Sequence, residues 1–255
     1  MIIDTHAHLD QLENLEEALH NAAQAGVEAV VVVSMNLESS QRNLEIKKKY
    51  NKPKIYLAMG MHPELAHVQE LDSSLKFIRE HRRELTAIGE IGLDFWYKWV
   101  KKDQAKKDEQ KEVFQRHLEL AKEFDLPAII HSRGAWRDCL DIAQRVGVKK
   151  AVFHWYSGPV DVLKDILAEG YFVSASPSLA YSPQSREAIS HAPIERVLIE
   201  TDSPVYFTVV PGEGFRAEPK DVIMTLQAYC GLKNVKEEDA LEIFNHNAKQ
   251  FFNLN

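Results

Sequence analysis

The sequence has few of the features that mark secreted or membrane proteins. Its two cysteines, Cys139 and Cys230, lie far apart and form no CxxC pair, so we expect reduced thiols and not a disulfide framework. No apolar run approaches the length of a membrane span, and no basic-then-apolar signal segment begins the sequence. We therefore expect a cytoplasmic protein with no membrane partner.

The chain also lacks an excess of positive charge. Its formal net charge of −7 argues against a protein that coats nucleic acid by bulk electrostatics, although basic groups confined to a cleft stay compatible with it. Hydrophobic residues make up 45% of the 255 residues, which is enough for a sizeable core. No Pro/Gly-rich linker, low-complexity segment or close repeat divides the chain, so we expect residues 1–255 to form a single domain.

Eight short apolar runs recur along the chain, and helical patterns lie between them. The runs cover residues 2–3, 29–33, 55–60, 87–91, 128–131, 151–154, 171–174 and 197–200, and clear helical patterns cover 15–25, 113–124 and 160–168. The runs lack apolar/polar alternation, as is typical of strands buried on both faces of a parallel sheet. This number and length predict an α/β fold, the TIM (β/α)8 barrel. An open doubly wound sheet competes, but no GxGxxG follows the first strand.

Metal-ligating residue types stand at the ends of these runs. The first run continues into IIDTHAHLD, where His6 and His8 are two residues apart and so project from the same side of a strand. Four further candidates close or follow later runs, namely Glu90, His131, His154 and Asp202. The active sites of TIM barrels lie at the C-terminal ends of the strands, so we expect these six side chains to meet.

Six ligands are too many for one tetrahedral ion that keeps an open position. They suit two divalent ions roughly 3.5–4 Å apart, which activate a water between them, with Glu90 as the natural bridge. Asp202 is then a ligand, a general base or both. Imidazole-rich ligation favours zinc, manganese or iron over magnesium by affinity, but the ion used in the cell need not follow that order.

Six blocks of sequence resemble one known family. They read DTHAHLD, GMHPE, GEIGLDF, IIHSRGA, FHWYSG and IETDSP, and a weaker match continues in EIFNHNAKQFF. Together they resemble the TatD-type metal-dependent deoxyribonucleases, a branch of the amidohydrolase-like barrels. The resemblance implies cleavage of DNA phosphodiester bonds, often from a 3′ end, in DNA repair or DNA breakdown.

The resemblance also implies roles for individual residues. One ion would be held by His6, His8, Glu90 and Asp202, and the other by Glu90, His131 and His154. His62 and Arg133 would lie near a substrate phosphate, with a structural salt bridge as the alternative for Arg133. The sequence departs from the family at the bulky Trp155 and Tyr156, in the connection 205–215, and at Ala217, where the family tends to carry an asparagine.

The segment after Glu90 reads FWYKWVKK and interleaves aromatic residues with lysines. Such surfaces stack bases and follow a strand backbone, so we expect Trp96 and Tyr97 at the rim of a substrate cleft. For the lysines, the solvated face of a helix that begins here is an equal alternative. A buried two-metal site cannot reach into an intact duplex, so the pattern predicts action on single-stranded or frayed DNA ends.

Two other functions remain open. A two-metal hydrolase of a small ester, lactone, amide or phosphoester would use the same ligands, and so would a nucleic-acid-binding scaffold that has lost catalysis. The complete six-residue set argues against the scaffold. We expect a monomer, because a barrel of this size can function alone.

Overall fold

Eight parallel strands form one sheet whose order follows the chain, β1 to β8, in the computed structural model, which describes residues 2–210 and 213–254. Their bounds are Ile2–Ala7 (β1), Val27–Val32 (β2), Lys54–Met59 (β3), Leu85–Gly92 (β4), Ala128–His131 (β5), Ala151–Phe153 (β6), Phe172–Ala175 (β7) and Val197–Ile199 (β8). Each of the eight predicted runs overlaps one of these strands, with bounds that differ by a few residues.

The segment after β8 joins the last strand to the first. The Asp202 amide donates to the His6 carbonyl at 2.9 Å, and the His8 amide donates to the Ser203 carbonyl at 2.7 Å. A parallel bridge between Ala7 and Ser203 lies at the same place. The sheet is thus a nearly closed barrel, and the predicted TIM-barrel class is confirmed.

Helices surround the barrel and a hairpin follows it. The helices are Leu15–Gln24 (α1), Leu37–Lys49 (α2), Val68–Glu80 (α3), Gln104–Phe124 (α4), Trp136–Val146 (α5), Val160–Ala168 (α6), Pro183–Ser190 (α7), Val222–Lys233 (α8) and Glu237–Phe252 (α9), and the hairpin strands are Tyr206–Val210 (β9) and Glu213–Arg216 (β10). Helix α4 begins nine residues before the predicted 113. Its first turns are polar, and its start is fixed by Asp103, whose side chain accepts from the Lys106 amide. None of the described helices is long and apolar enough to cross a bilayer.

Alternate strand residues pack into two separate cores. Ala29 and Val31 of β2 belong to a cluster inside the barrel, whereas Val30 and Val32 pack outwards against the helices. Phe251 of α9 joins the inner cluster, and its ring lies 5.0 Å from that of Phe172 at the start of β7. Helix α9 therefore covers the end of the barrel where the strands begin. Cys139 and Cys230 are both buried free thiols.

Among the register shifts of the barrel sheet, two give β1 and β4 an extra residue beside the candidate ligands. In β1, the step from Asp4 to Ala7 spans three residues while its partner strand advances by two, from Val30 to Val32. In β4, the step from Ile88 to Ile91 is likewise opposed by two residues of β5.

These bulges decide which way two site residues face. Ile3 and Ala87 both point into the barrel. In a regular strand, the residues three positions later, His6 and Glu90, would point outwards. The extra residue reverses that direction and turns both side chains inwards.

Candidate metal centre

The six candidate ligands converge at the ends of the strands, as the sequence predicts. Five of the six are buried, and His131 has a side-chain exposure of 14%. His6 lies in the bulge of β1, Glu90 in that of β4, and His131 at the end of β5. His8, His154 and Asp202 directly follow their strands or lie within three residues of them.

Four of these side chains surround one point. The Nε2 atom of His6 lies 3.3 Å from Glu90 Oε2 and 3.3 Å from Asp202 Oδ1. The Nε2 atom of His8 lies 3.3 and 3.4 Å from the same two oxygens. Ligands about 2.0–2.1 Å from a tetrahedral ion are separated by about 3.3–3.4 Å, so this donor set has the spacing of a tetrahedral metal site.

The other oxygen of Glu90 faces a second group. Its Oε1 atom lies 2.9 Å from His131 Nδ1 and 2.7 Å from His154 Nε2, and these two nitrogens are 3.3 Å apart. Glu90 therefore stands between two clusters and presents one carboxylate oxygen to each. This is the arrangement required of a bridging carboxylate.

His62 lies close to the second group of donor atoms, formed by Glu90 Oε1, His131 and His154. The His62 nitrogen that faces this group, Nε2, carries a proton. Its Nε2 lies 3.3 Å from His131 Nδ1 and 3.6 Å from Glu90 Oε1. The Glu64 amide donates to its Nδ1 at 3.1 Å, and burial lowers the pKa of His62 to about 3. A neutral imidazole whose Nδ1 accepts carries its proton on Nε2, so His62 is suited to donate a hydrogen bond and not to ligate.

The charges around the centre favour a cation. Burial would lower the pKa of His8, but hydrogen bonds to Asp202 and Glu90 raise it to about 10. Burial would raise the pKa of Glu90, but the neighbouring histidines, His154 first, hold it well below its usual range. Buried carboxylates that stay ionised beside imidazoles stabilise positive charge at this place.

Two nitrogens of His6 give a further sign that a metal fits. Among the residues described, neither Nδ1 nor Nε2 of His6 has a hydrogen-bond partner, although both are buried. Buried polar atoms normally find a partner, and Nε2 points at the tetrahedral donor set. The cluster of histidine, glutamate and aspartate side chains can thus hold a divalent ion.

Two carboxylates that the sequence reasoning missed orient the histidines. Asp94 Oδ2 lies 2.9 Å from His131 Nε2, and Glu200 Oε1 lies 3.2 Å from His154 Nδ1. Each takes the proton-bearing nitrogen and leaves the other nitrogen free to face Glu90. Both residues lie inside quoted blocks, GEIGLDF and IETDSP, but nothing local in the sequence shows that each faces a particular histidine.

Asp202 is held in place by a buried aspartate of β1. The Asp4 carboxylate accepts from the Thr201 amide at 3.0 Å and from the Thr201 hydroxyl at 2.6 Å. Asp202 itself has a left-handed backbone, with φ of 52°. These contacts join the first strand to the segment after the last one and bring Asp202 beside His6.

A cleft of about 740 Å³ opens above the six side chains. All four predicted substrate residues, His62, Trp96, Tyr97 and Arg133, line it. The Arg133 Nε donates to Asp94 at 2.7 Å, and the guanidinium lies 4.9 Å from the centre of the Tyr97 ring. Arg133 thus forms a salt bridge, which was the alternative predicted for it. Half of its side chain is nevertheless exposed in the cleft.

The lysines after Glu90 divide between the two predicted surfaces. Lys106 pairs with Glu109 at 2.8 Å and Lys111 pairs with Asp138 at 2.7 Å, both on the outer face of α4. Lys101 lies 6.0 Å from the Trp96 ring, which is 65% exposed at the rim. The helix-face interpretation therefore describes Lys106, whereas Lys107 and Lys111 lie over the Phe95 ring at 5.0 and 5.6 Å and Lys101 lies beside the exposed Trp96.

The other side of the cleft is lined by Trp155, which the departure from the family block placed at the rim, whereas Tyr156, predicted there as well, is buried in the core. Trp155 has a left-handed backbone with φ of 42°, and its indole donates to the Ser178 hydroxyl at 2.8 Å. Its ring centre lies 5.2 Å from that of Phe207 in β9. The segment that departs from the family pattern is therefore a hairpin packed on the residue next to His154.

Comparison with known proteins identifies the family. A family model described as TatD related DNase matches residues 3–253. This chain belongs to the TatD family. It is 34% identical over 264 residues to the uncharacterized metal-dependent hydrolase YabD of Bacillus subtilis (strain 168), with complete coverage of both chains. It is 29% identical over 263 residues to the human deoxyribonuclease TATDN3, covering 98% of this chain and 94% of that protein.

A solved structure supports the same assignment. The TatD homologue YJJV of Escherichia coli K12 superposes with a TM-score of 0.89 at 26% identity, over 100% of this chain and 98% of that one. The resemblance stated from the sequence is thus confirmed. The protein is a metal-dependent hydrolase of the TatD family, in which some members are deoxyribonucleases.

Proposed function

We propose that this TatD-family chain is a single-domain, cytoplasmic, monomeric deoxyribonuclease that hydrolyses phosphodiester bonds of DNA with two divalent ions. We further propose that it removes nucleotides in the 3′–5′ direction from single-stranded or frayed ends, in DNA repair or DNA breakdown. The observation that carries the proposal is Glu90, whose two oxygens face separate groups of donor atoms.

The proposed ligands follow from those two groups. His6, His8, Glu90 and Asp202 would hold one ion, and Glu90, His131 and His154 the other; zinc, manganese and magnesium are the candidates. Such ions supply Lewis-acid stabilisation of phosphoryl oxygens and lower the pKa of water.

The chain's own groups complete the chemistry. His62 lines the cleft with its Nε2–H beside the second donor group, and there it donates to a non-bridging phosphate oxygen, where charge accumulates. The exposed part of Arg133 binds the same or the neighbouring phosphate. Asp202 accepts the proton of the attacking water as a general base, in addition to its place in the donor set.

The cleft supports the proposed preference for strand ends. Its volume lies in the range of small-molecule pockets, so a strand end can enter while an intact duplex cannot. Trp96, which is 65% exposed at the rim, offers a ring face on which a base stacks, and Tyr97 lies beside it with its ring stacked on Trp99.

A digestion time course tests this proposal. Single-stranded DNA labelled at the 3′ or the 5′ end is incubated with manganese, magnesium or chelator, beside Glu90→Ala and the exposed-residue control Glu112→Ala on α4. We expect metal-dependent loss of the 3′ label first, in the wild type and in Glu112→Ala but not in Glu90→Ala.

Intact DNA after incubation with a protein that binds two ions would reject the nuclease. The same pocket volume would then favour the alternative, a two-metal hydrolase of a small ester, lactone, amide or phosphoester. A panel of such small substrates, with the same Glu90→Ala control, would identify it.

A further inference from the structure

We infer that Asp94 is a positioning residue that fixes the proposed metal ligand His131 and the proposed DNA-binding surface with a single carboxylate. This inference rests on the proposed function. It means that the affinity for the DNA strand and the geometry of the proposed metal centre depend on the same side chain, Asp94. The surface consists of Arg133 and the loop that carries Trp96, Tyr97 and Trp99.

One oxygen of Asp94 serves both the centre and the arginine. Its Oδ2 lies 2.9 Å from His131 Nε2 and 2.7 Å from Arg133 Nε. Asp94 is completely buried, whereas half of Arg133 is exposed in the cleft. A phosphate that binds the exposed guanidinium therefore acts on a group that shares its anchor with His131.

The other oxygen of Asp94 holds the loop. Its Oδ1 accepts from the Trp96 amide at 2.8 Å and from the Tyr97 amide at 3.3 Å. Trp96 and Trp99 are 65% and 53% exposed, and besides Asp94 this loop is held by the Phe95 amide, which donates to the Arg133 carbonyl at 3.1 Å. The Tyr97 ring stacks on Trp99 at 4.4 Å, and the Arg133 guanidinium lies 4.9 Å from the Tyr97 ring.

The backbone of Asp94 is fixed through Gln110 to the segment next to His62. Its amide donates to Gln110 Oε1 at 3.0 Å, and Gln110 Nε2 donates to the Pro63 carbonyl at 3.0 Å, next to His62. Gln110 is buried in α4. The backbone of Asp94 is therefore fixed in position. The two oxygens of its carboxylate face only hydrogen-bond donors.

An asparagine cannot replace this carboxylate. All four partners of Asp94 are N–H donors, and an amide has one acceptor oxygen and one donor NH₂. In one orientation of the asparagine amide, its NH₂ faces the Trp96 and Tyr97 amides, and in the other it faces His131 and Arg133. Two of the four hydrogen bonds are lost in either case. The inference predicts that Asp94→Asn damages strand binding and catalysis together.

Glu200→Gln is the matched control. Glu200 is also a buried carboxylate on a proposed ligand, His154, but its other partners are Ser174 and the Trp155 amide, away from Arg133 and the loop. Two measurements are made on each variant. Fluorescence anisotropy gives the affinity of the chelator-treated protein for a short labelled single strand, and turnover of bis-p-nitrophenyl phosphate by the metal-loaded protein gives kcat and KM.

We expect Asp94→Asn to weaken metal-free strand binding about tenfold and to lower kcat on the small diester by about 10–100-fold, and Glu200→Gln to lower only kcat. Wild-type strand binding by Asp94→Asn, or an unchanged kcat, would overturn the inference. A wild type that binds strands but cleaves no phosphodiester would instead reject the proposed function.

A measurement on the wild type keeps the inference testable if Asp94→Asn does not fold. Hydrogen exchange should show the Trp96 and Tyr97 amides protected, despite the exposed side chain of Trp96, because Asp94 accepts from both. Exchange of both amides at the rate of an unstructured peptide would refute the role of Asp94.

Discussion

Gly92, at the end of β4, lies directly against the backbone of His131 in β5, and we predict that it tolerates no side chain. Its φ is +147°, and a Cβ would lie 1.9 Å from the carbonyl oxygen of His131. That atom is backbone and cannot rotate away. We expect Gly92→Ala to reduce the free energy of unfolding by more than about 4 kcal/mol, or to prevent folding, as measured in urea.

Gly170→Ala is the control for backbone strain alone. Gly170 has a similarly unusual φ of +78°, but nothing lies within 4 Å of its Cβ position. We expect a loss of about 1–2 kcal/mol there. Equal losses at the two positions would show that the contact with His131 does not matter.

At the scale of residues, the six candidate ligands stand out in the sequence because their chemistry is distinctive, and the structure places them together. His6 and His8 have a spacing and residue type with few common uses, and Glu90 and Asp202 stand at recognisable strand ends. Asp94 could not be found in this way, because its importance lies in partners up to 39 positions away. A buried carboxylate is recognised only when its neighbours in space are known.

At the scale of elements, α4 carries a buried histidine that makes stability depend on pH. His117 Nδ1 lies 2.8 Å from the Val113 carbonyl, and burial lowers its pKa to about 4. The unfolded chain takes up this proton below about pH 6.5, whereas the folded protein resists it until about pH 4. Stability from His117 is therefore complete above pH 6.5 and lost as the pH falls towards 4, by roughly 2–4 kcal/mol.

The variant His117→Leu should flatten this dependence. We expect the difference in unfolding free energy between pH 7.5 and pH 5, measured with chelator present, to shrink by about 2 kcal/mol. His246→Leu, which replaces an exposed histidine of α9, is the matched control, and the change should be larger in His117→Leu. An unchanged difference in His117→Leu would contradict the assigned pKa.

An apolar pattern gave the bounds of some elements and missed others. Helix α6 has its predicted bounds because apolar residues recur at helical spacing up to Ala168. Helix α5 was predicted only as a segment between two apolar runs, without bounds, although its apolar residues have the same spacing, and the first turns of α4 are polar. The hairpin was missed as well, although β9 reads YFTVV. The hairpin is anchored by the contact of Phe207 with Trp155, which joins residues 52 positions apart and leaves no local signal.

At the scale of the molecule, the proposed metal centre ties distant strands together. Its ligands come from β1, β4, β5, the end of β6 and the segment after β8. An ion that binds only the folded barrel at a hundred times its Kd adds about 2.7 kcal/mol to stability. We expect added zinc or manganese to raise the melting temperature by about 5–10 °C over the chelator-treated protein.

The same melting experiment contains its control. Glu90→Gln removes the shared charge and should lose most of the metal-induced shift, whereas Glu112→Gln on the surface of α4 should keep it. A shift of equal size in both variants would mean that the ions act elsewhere on the protein.

The barrel as a whole was predictable because eight buried runs in order leave few topologies. The closure of the barrel between β1 and the segment after β8 was less predictable from the sequence. The seam depends on hydrogen bonds between β1 and the segment after β8, including those of Asp4 to Thr201, 197 positions away. Such pairings follow from the curvature of the complete sheet and not from any single stretch of sequence.

The extra residues in β1 and β4 make the candidate metal centre depend on strand register as well as on residue type. A chain of the same length that paired β1 or β4 without its extra residue would keep every letter of its motifs. Its His6 or Glu90 would nevertheless face the helices. A slip of one residue in either strand during folding would therefore give a barrel that has the complete sequence of the centre and lacks one of its donors.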